Sequence, residues 1–148
     1  MPIKIAARAV IIHNKQLLVV KHHGSSFYAL PGGKRESDES LQAALVRELH
    51  EELGVAETQV GEIVCINEFE YEKDPEKYSL ELFFQVTNPE IFRDLEGGSH
   101  TEGEIAEILW ISDMASISFQ PVAGIPLLSE YLAGKSIIGK YLSQMNVS

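Results

Sequence analysis

The stretch GKRESDESLQAALVRELHEELGV, residues 33–55, joins a glycine turn to a segment with strong helical character. The residues from Leu41 to Leu53 are good helix formers, and Gly54 is suited to end a helix in the left-handed conformation. Ser37 or Asp38 is the predicted N-cap, because short polar side chains accept hydrogen bonds from the first turn. The stretch therefore predicts one helix of about three to four turns.

The two sides of this predicted helix differ in chemistry. Four leucines recur at four-residue steps and predict a stripe that faces the core: Leu41, Leu45, Leu49 and Leu53. Three carboxylates lie on a neighbouring face: Glu48, Glu51 and Glu52. Such like charges repel by a few tenths of a kcal/mol per pair unless a cation lies between them. A solvated acidic surface is the alternative interpretation of the run.

A divalent metal is the natural counterion for three carboxylates that converge. Hard oxygen ligands without a cluster of cysteines or histidines favour Mg²⁺, with Mn²⁺ as a substitute, over Zn²⁺. Mg²⁺ usually binds through a few carboxylates together with substrate phosphates. His22 and His23 could help to bind metal or phosphate, but the preferred interpretation is that they are plain loop residues, since no other histidine has ligand spacing to them.

The spacing of Gly33, Glu39 and the run from Arg47 to Val55 matches every defining position of the Nudix box. The chain therefore resembles the Nudix hydrolases, which use divalent metal to cleave a diphosphate bond in a nucleoside diphosphate linked to a further group. The resemblance implies an α+β fold, an α/β/α sandwich with a mixed β-sheet between helices. It extends over nearly the whole chain, although the motif itself spans only residues 33–55.

The resemblance also implies roles for individual residues. The metal ligands would be the three helix glutamates and a backbone carbonyl: Glu48, Glu51, Glu52 and Gly32. Arg47 would brace Glu39 and the glycine loop, whereas its alternative interpretation is a surface ion pair of little energetic value. The chain departs from the family at Asp38, where relatives commonly have glycine, and this changes the expected backbone of the loop.

Hydrolysis also requires a general base for the attacking water. In relatives the base is a glutamate of the box helix or one from the loop before the last strand, which here runs from Gly97 to Glu104. Glu104 is the first candidate, followed by Glu102 and His100. Glu51 or Glu52 takes the role if Glu104 is only a solvated loop carboxylate.

Several cations near the glycine turn are candidates for phosphate binding: Lys21, Lys34, Arg35 and, from the first strand, Arg8. Each could equally be a solvated surface charge. Tyr28 could stack on a base or pack within a strand. Tyr71 stands at about the distance from the box where enzymes that cleave dinucleoside polyphosphates carry a tyrosine, but it could also be a cross-strand aromatic.

Length and composition predict a single domain, residues 1–148. The net charge of −10 argues against a partner that is a nucleic-acid polymer, because no excess of basic residues is available to meet phosphates. No apolar run is long enough for a membrane span. The single cysteine, Cys65, forbids an intrachain disulfide and suggests a buried thiol in a cytoplasmic protein. Whether the chain is a monomer or a homodimer stays open.

Patterns of apolar residues predict the remaining elements. Strands are expected at residues 3–12, 15–21, 58–70, 77–87 and 105–111, with a polar turn at residues 72–76. A second helix is expected from Pro121 to about Leu132, ended by Gly134 and followed by an amphipathic tail. Helices before and after the strands predict a sheet that is covered on both faces.

Three classes of function follow from these patterns. The leading hypothesis is a Mg²⁺-dependent pyrophosphohydrolase that converts a nucleoside triphosphate, standard or modified, to a monophosphate and pyrophosphate. The alternative substrates are dinucleoside polyphosphates, ADP-ribose and nucleotide sugars. A Nudix-fold nucleotide sensor without catalysis would normally carry a degraded box, and an acidic calcium-binding module would need a loop that this sequence lacks.

Overall fold

A computed structural model describes residues 3–71, 74–95 and 103–145, and residues 71 and 74–77 through their backbone only. The strands are β1 (Ile3–Val10), β2 (Ile12–His13), β3 (Gln16–His22), β4 (Gly32–Lys34), β5 (Val60–Tyr71), β6 (Asp74–Val86), β7 (Ile105–Ile111) and β8 (Lys140–Gln144). The helices are α1 (Leu41–Leu53) and α2 (Ile125–Leu132).

The strands form two sheets. One has five strands in the order β4-β1-β6-β5-β8, and the other has three in the order β2-β3-β7. In the larger sheet β1 runs parallel to β6 and β5 runs parallel to β8, whereas the other pairs are antiparallel. The predicted mixed sheet in an α+β fold is therefore confirmed.

The helices cover opposite faces of the strands. Neighbouring residues of β1 and β3 enter different cores: Ala9 and Leu18 pack beneath α1, while Val10 and Val19 pack beneath α2. This division follows from the alternation of side chains along a strand. The result is a layered α/β/α arrangement in which α1 and its carboxylates stand over one face only.

The helix α1 agrees with its sequence pattern except at its start. Leu45, Leu49 and Leu53 are buried, and Gly54 has φ 70° and donates its backbone N–H to the His50 carbonyl. The predicted N-cap is wrong, because Ser40 caps the helix. Its Oγ accepts a hydrogen bond from the Ala43 backbone N–H at 3.0 Å.

Two other predicted boundaries also need correction. Asp74, Pro75 and Glu76 belong to β6 rather than to a polar turn, since Tyr71 already pairs with Asp74. The second helix begins at Ile125, because residues 122–124 form a 3₁₀ turn. The expected amphipathic tail contains β8, which pairs in parallel with β5 at the sheet edge.

Cys65 is fully buried in the core beneath α2, as predicted. Burial raises the pKa of its thiol to about 12. Within the described ranges, no helix is both long and apolar enough to cross a membrane.

Candidate active site

Arg47 connects α1 to the loop that precedes it. Its Nε and Nη2 atoms donate to the two carboxylate oxygens of Glu39 at 3.0 and 2.7 Å, a paired geometry that guanidinium allows. Its Nη1 atom donates to Glu48 at 3.0 Å and to Glu51 at 3.1 Å. Nη2 also donates to the Lys34 carbonyl at 3.1 Å. Arg47 thus contacts the loop and two of the helix carboxylates at once.

These contacts fix the charge of Glu39. The hydrogen bonds from Arg47, and then the backbone N–H of Glu36, lower the pKa of Glu39 to about 2. The hydrogen bond to Glu39, followed by the one to Glu48, raises the pKa of Arg47. Both groups therefore stay charged throughout the neutral range, so that the loop is held by a permanent ion pair.

The two glycines of β4 are required for different reasons. Gly32 has φ 137°, and an added Cβ would lie 2.1 Å from the Ala7 carbonyl oxygen of β1. At Gly33 an added Cβ would instead lie 2.5 to 2.8 Å from the carboxyl atoms of Glu48. Gly32 therefore permits pairing with β1, whereas Gly33 leaves the space that the Glu48 carboxylate fills.

Glu52 faces inward from the same helix. Its Oε2 atom is buried and has no hydrogen-bond partner. Burial, followed by the nearby charge of Glu48, raises the pKa of Glu52 to about 8. A divalent cation between the carboxylates of Glu48 and Glu52 would offset both the cost of burying a charge and the repulsion between the two groups, because it favours the charged form of each. The donor set of hard oxygens thus fits the metal that the sequence predicts.

His22 lies beside Glu52, which the sequence did not indicate. One ligand atom each of His22, Glu52 and Glu104 lies within 4.8 Å of the others. Burial and then the charge of Arg8 lower the pKa of His22, so its imidazole stays neutral near pH 7. The interpretation of His22 as an ordinary loop residue is wrong, since it ends β3 and its neighbours are carboxylates from two other elements.

A cavity of about 770 Å³ opens on the face of the larger sheet that is turned away from α1. Its lining includes apolar and aromatic residues, Ala6, Phe27 and Phe69 among them. At one end Arg8 donates through Nε to Glu81 at 2.9 Å and through Nη1 to the Gly32 carbonyl at 3.0 Å. Arg8 therefore lies between the cavity and the carbonyl that the family resemblance assigns to the metal.

Two buried polar groups lie at the floor of this face. Ser79 lines the cavity and is 1% exposed, and Asn67 on the adjacent strand is fully buried. The Ser79 Oγ and the Asn67 Oδ1 have no hydrogen-bond partner, whereas the Asn67 amide donates to Gln144 at 3.2 Å. Buried polar atoms without partners are costly, so a ligand in the cavity that satisfied the Ser79 hydroxyl would gain affinity.

The other predicted binding residues have local contacts of their own. The Lys21 ammonium lies 5.7 Å from the centre of the Tyr28 ring, and the Tyr28 hydroxyl donates to Glu107. Arg35 donates to the Glu39 carbonyl at 2.8 Å, and Lys34 is exposed. The part of these residues in substrate binding stays a prediction.

The side chains of three further candidates are not described. The Tyr71 backbone ends β5, but its side chain is not described. Glu102 and His100 also lie outside the described residues. Of the predicted bases in the loop before β7, only Glu104 is therefore placed, next to Glu52.

Comparison with known proteins identifies the family of this chain. A model of the NUDIX domain family matches residues 3–115. Over 40 residues the chain is 48% identical to the 8-oxo-dGTP diphosphatase of Proteus vulgaris, a match that covers 27% of this chain and 36% of that protein. The match therefore spans little more than a third of that relative.

Solved structures extend the likeness to most of the chain. The ORF135 protein of E. coli has 28% identity and a TM-score of 0.64, covering 90% of this chain and 91% of its own. An ADP-ribose pyrophosphatase from Streptococcus suis has 19% identity and a TM-score of 0.63, covering 93% and 98% of the two chains, and so shows the fold alone.

The chain belongs to the Nudix family, whose domain model matches more than half of it, and is a Nudix hydrolase. The predicted assignment to the Nudix hydrolases is thereby confirmed.

Proposed function

We propose that this enzyme hydrolyses a nucleoside triphosphate to the monophosphate and pyrophosphate. The observation that carries the proposal is the position of Arg8 between the cavity and the Gly32 carbonyl. A volume of about 770 Å³ suits a small-molecule ligand, with aromatic walls at Phe27 and Phe69 for a base. A nucleoside in the cavity would direct its phosphates past Arg8 toward the carboxylates of α1.

Mg²⁺ is the proposed cofactor, and Mn²⁺ is its substitute. Glu48, Glu52 and the Gly32 carbonyl would hold the ion, and Glu51 would join them when Arg47 releases it. A divalent ion bound there supplies charge that neutralises phosphate oxygens and makes water easier to deprotonate. The unpartnered Glu52 oxygen supports this assignment, since a buried carboxylate needs a compensating charge.

The surrounding residues have separate proposed roles. Arg8 binds the phosphate chain, and Lys21, Lys34 and Arg35 add positive charge around the glycine turn. Glu104 accepts the proton of the attacking water, because its carboxylate lies beside Glu52 at the open side of the cluster.

Arg47 and Glu39 act as positioning residues. Their paired hydrogen bonds hold the loop, and the further bond from Arg47 holds Glu48. Because Glu48 also fills the space left by Gly33, its carboxylate has little freedom to turn away. This arrangement keeps the proposed ligands in place before substrate arrives.

The substrate range that we propose includes oxidised purine nucleotides. The relative from Proteus vulgaris is named for 8-oxo-dGTP, and its similarity to this chain is limited to 40 residues. The unpartnered Ser79 Oγ, which lines the cavity, would allow polar recognition of a base edge. We also propose a cytoplasmic enzyme, since a buried free thiol at Cys65 suits a reducing compartment.

A substrate panel tests this function. Nucleoside triphosphates, 8-oxo-dGTP, ADP-ribose, nucleotide sugars and dinucleoside polyphosphates are each incubated with Mg²⁺, with Mn²⁺ and with chelator, and products are separated by chromatography. We expect metal-dependent release of a monophosphate and pyrophosphate from a triphosphate. Preferred cleavage of ADP-ribose or a dinucleoside polyphosphate would contradict the proposed substrate class.

The variant Ser79→Ala tests whether the cavity holds the nucleoside. Because Ser79 lies in the cavity and not among the carboxylates, we expect KM to rise several-fold with kcat nearly unchanged. Ser129→Ala on α2 is a matched control that lies outside the cavity lining. Equal KM values for the wild type, Ser79→Ala and Ser129→Ala would show that the nucleoside binds outside this cavity.

A further inference from the structure

We propose that a ring nitrogen of His22 is a direct ligand of the divalent metal at Glu52, giving this site a mixed nitrogen and oxygen donor set. The inference rests on the proposed function, because it concerns the metal of the same site. It differs from the sequence prediction of oxygen ligands alone and changes the expected order of metal preference.

Distance is the first argument. The ligand atoms of His22, Glu52 and Glu104 lie within 4.8 Å of one another. Ligands of an ion with bonds of about 2.2 Å stand about 3.1 Å apart when adjacent and about 4.4 Å apart when opposite. Side-chain adjustments of about half an ångström each therefore bring all three onto one ion.

The backbone keeps these residues together. The β3–β7 ladder shifts register between Lys21 and His22, so that His22 pairs with Ile105 at the very start of β7. The His23 backbone N–H then donates to the Glu104 carbonyl at 2.9 Å. A bulge of this kind redirects a side chain at a strand end, and here it brings His22 beside the residue that leads into β7.

Glu52 supplies an independent argument. Its Oε2 atom is buried without a hydrogen-bond partner, so neither His22 nor Glu104 already satisfies it. The group therefore needs a further cationic or donor partner in the space that the three side chains share. An ion placed there would be bonded by the imidazole as well as by both carboxylates.

A nitrogen ligand has a chemical consequence. Imidazole suits transition metals, whereas Mg²⁺ prefers oxygen. We therefore expect Mn²⁺ and Co²⁺ to bind this site more tightly than Mg²⁺ and to do so through His22. Glu104 has a second carboxylate oxygen that stays available to accept a proton.

Pulsed electron paramagnetic resonance of the Mn²⁺-loaded, nucleotide-free enzyme tests the inference. We expect electron spin echo modulation from a directly bonded ¹⁴N nucleus, replaced by the ¹⁵N pattern when histidine is labelled. His22→Gln should abolish the modulation and lower Mn²⁺ affinity about tenfold. His23→Gln and, on β2, His13→Gln are matched controls and should retain both properties.

Absence of ¹⁴N modulation in the wild-type protein, or its persistence in His22→Gln, would overturn the inference. If His22→Gln fails to fold, absence of nitrogen modulation in the wild-type protein still overturns the inference, and retained modulation in the control variants excludes the histidines that they replace. Because nucleotide is absent, the result is separable from the proposed function. Hydrolysis without nitrogen coordination would overturn only the ligand assignment, and coordination without hydrolysis would overturn only the substrate proposal.

Discussion

The carboxylate of Glu48 occupies the space that a side chain at Gly33 would fill, since an added Cβ would lie 2.5 Å from its carboxyl carbon. Glu48 of α1 can pack against β4 at this point because residue 33 has no Cβ atom. It follows that the glycine serves the position of a functional carboxylate as well as the backbone.

Gly33→Ala should therefore reduce activity more than stability. The methyl group would displace the flexible end of Glu48, which costs about 1 kcal/mol or less in folding, but it would move a proposed metal ligand. We expect kcat/KM to fall about a hundredfold with a small change in Tm. Activity assays and thermal denaturation provide both readouts.

Two other glycines are controls for that variant. In Gly103→Ala the added methyl group points into open space, so neither kcat/KM nor Tm should change. In Gly32→Ala the added methyl group would lie 2.1 Å from the Ala7 carbonyl oxygen, which should lower stability by several kcal/mol. A Gly33→Ala enzyme with full activity would show that Glu48 can move without loss.

Arg47→Lys tests whether the paired hydrogen bonds matter beyond charge. Lysine keeps the positive charge but cannot donate to both oxygens of Glu39 in the same way. We expect the pKa of Glu39 to rise from about 2 toward its ordinary value, and activity to fall about tenfold. Carboxyl titration by NMR measures the first effect, and a Glu39 pKa that stays near 2 would contradict it.

The raised pKa of Glu52 predicts a pH-dependent stability in the metal-free protein. Glu52 ionises near pH 4.5 when unfolded and near pH 8 when folded, so between these values the folded protein holds the extra proton. The free energy of unfolding should therefore fall as pH rises through this window, by a few kcal/mol at most.

Urea denaturation of Glu52→Gln in chelator measures that effect. The variant lacks the titrating group, so its stability relative to the wild type should grow between pH 5 and pH 9. Mg²⁺ should reverse the trend, because it favours the ionised carboxylate. Parallel pH profiles for the two metal-free proteins would count against burial of this charge.

Glu104→Gln tests the proposed general base. Removing a base typically lowers turnover about 10² to 10⁴-fold, and here KM should change little. Glu51→Gln and Glu102→Gln are the comparisons, since both residues are alternative bases. If Glu104→Gln retained near wild-type kcat, the role would pass to the helix glutamates.

The sequence was sufficient for α1 because all of its signals are local. The leucine stripe lies within one helix and Gly54 ends it, so these signals do not depend on which strands pair elsewhere in the chain. Its N-cap was misplaced because Ser37, Asp38 and Ser40 are all competent caps. Asp38 instead adopts φ 64°, a left-handed conformation that fits the glycine common at this position in relatives.

The features that the sequence missed depend on contacts between distant segments. His22 meets Glu52 and Glu104 only because β3 pairs with β7 through a bulge. Likewise β8 is a short edge strand whose partner, β5, is far away in the sequence. Neither pairing has a periodic signal of its own, so spacing along the chain could not indicate it.

The most direct test of the account is hydrolysis of 8-oxo-dGTP and the standard nucleoside triphosphates in ¹⁸O-labelled water, by the wild-type enzyme and by Glu52→Gln. We expect Mg²⁺-dependent formation of a monophosphate and pyrophosphate, one of them carrying a single ¹⁸O atom. Glu52→Gln should be slower by about a hundredfold or more while remaining folded. Release of orthophosphate alone, or equal rates for the two proteins, would contradict diphosphate hydrolysis at the α1 carboxylates.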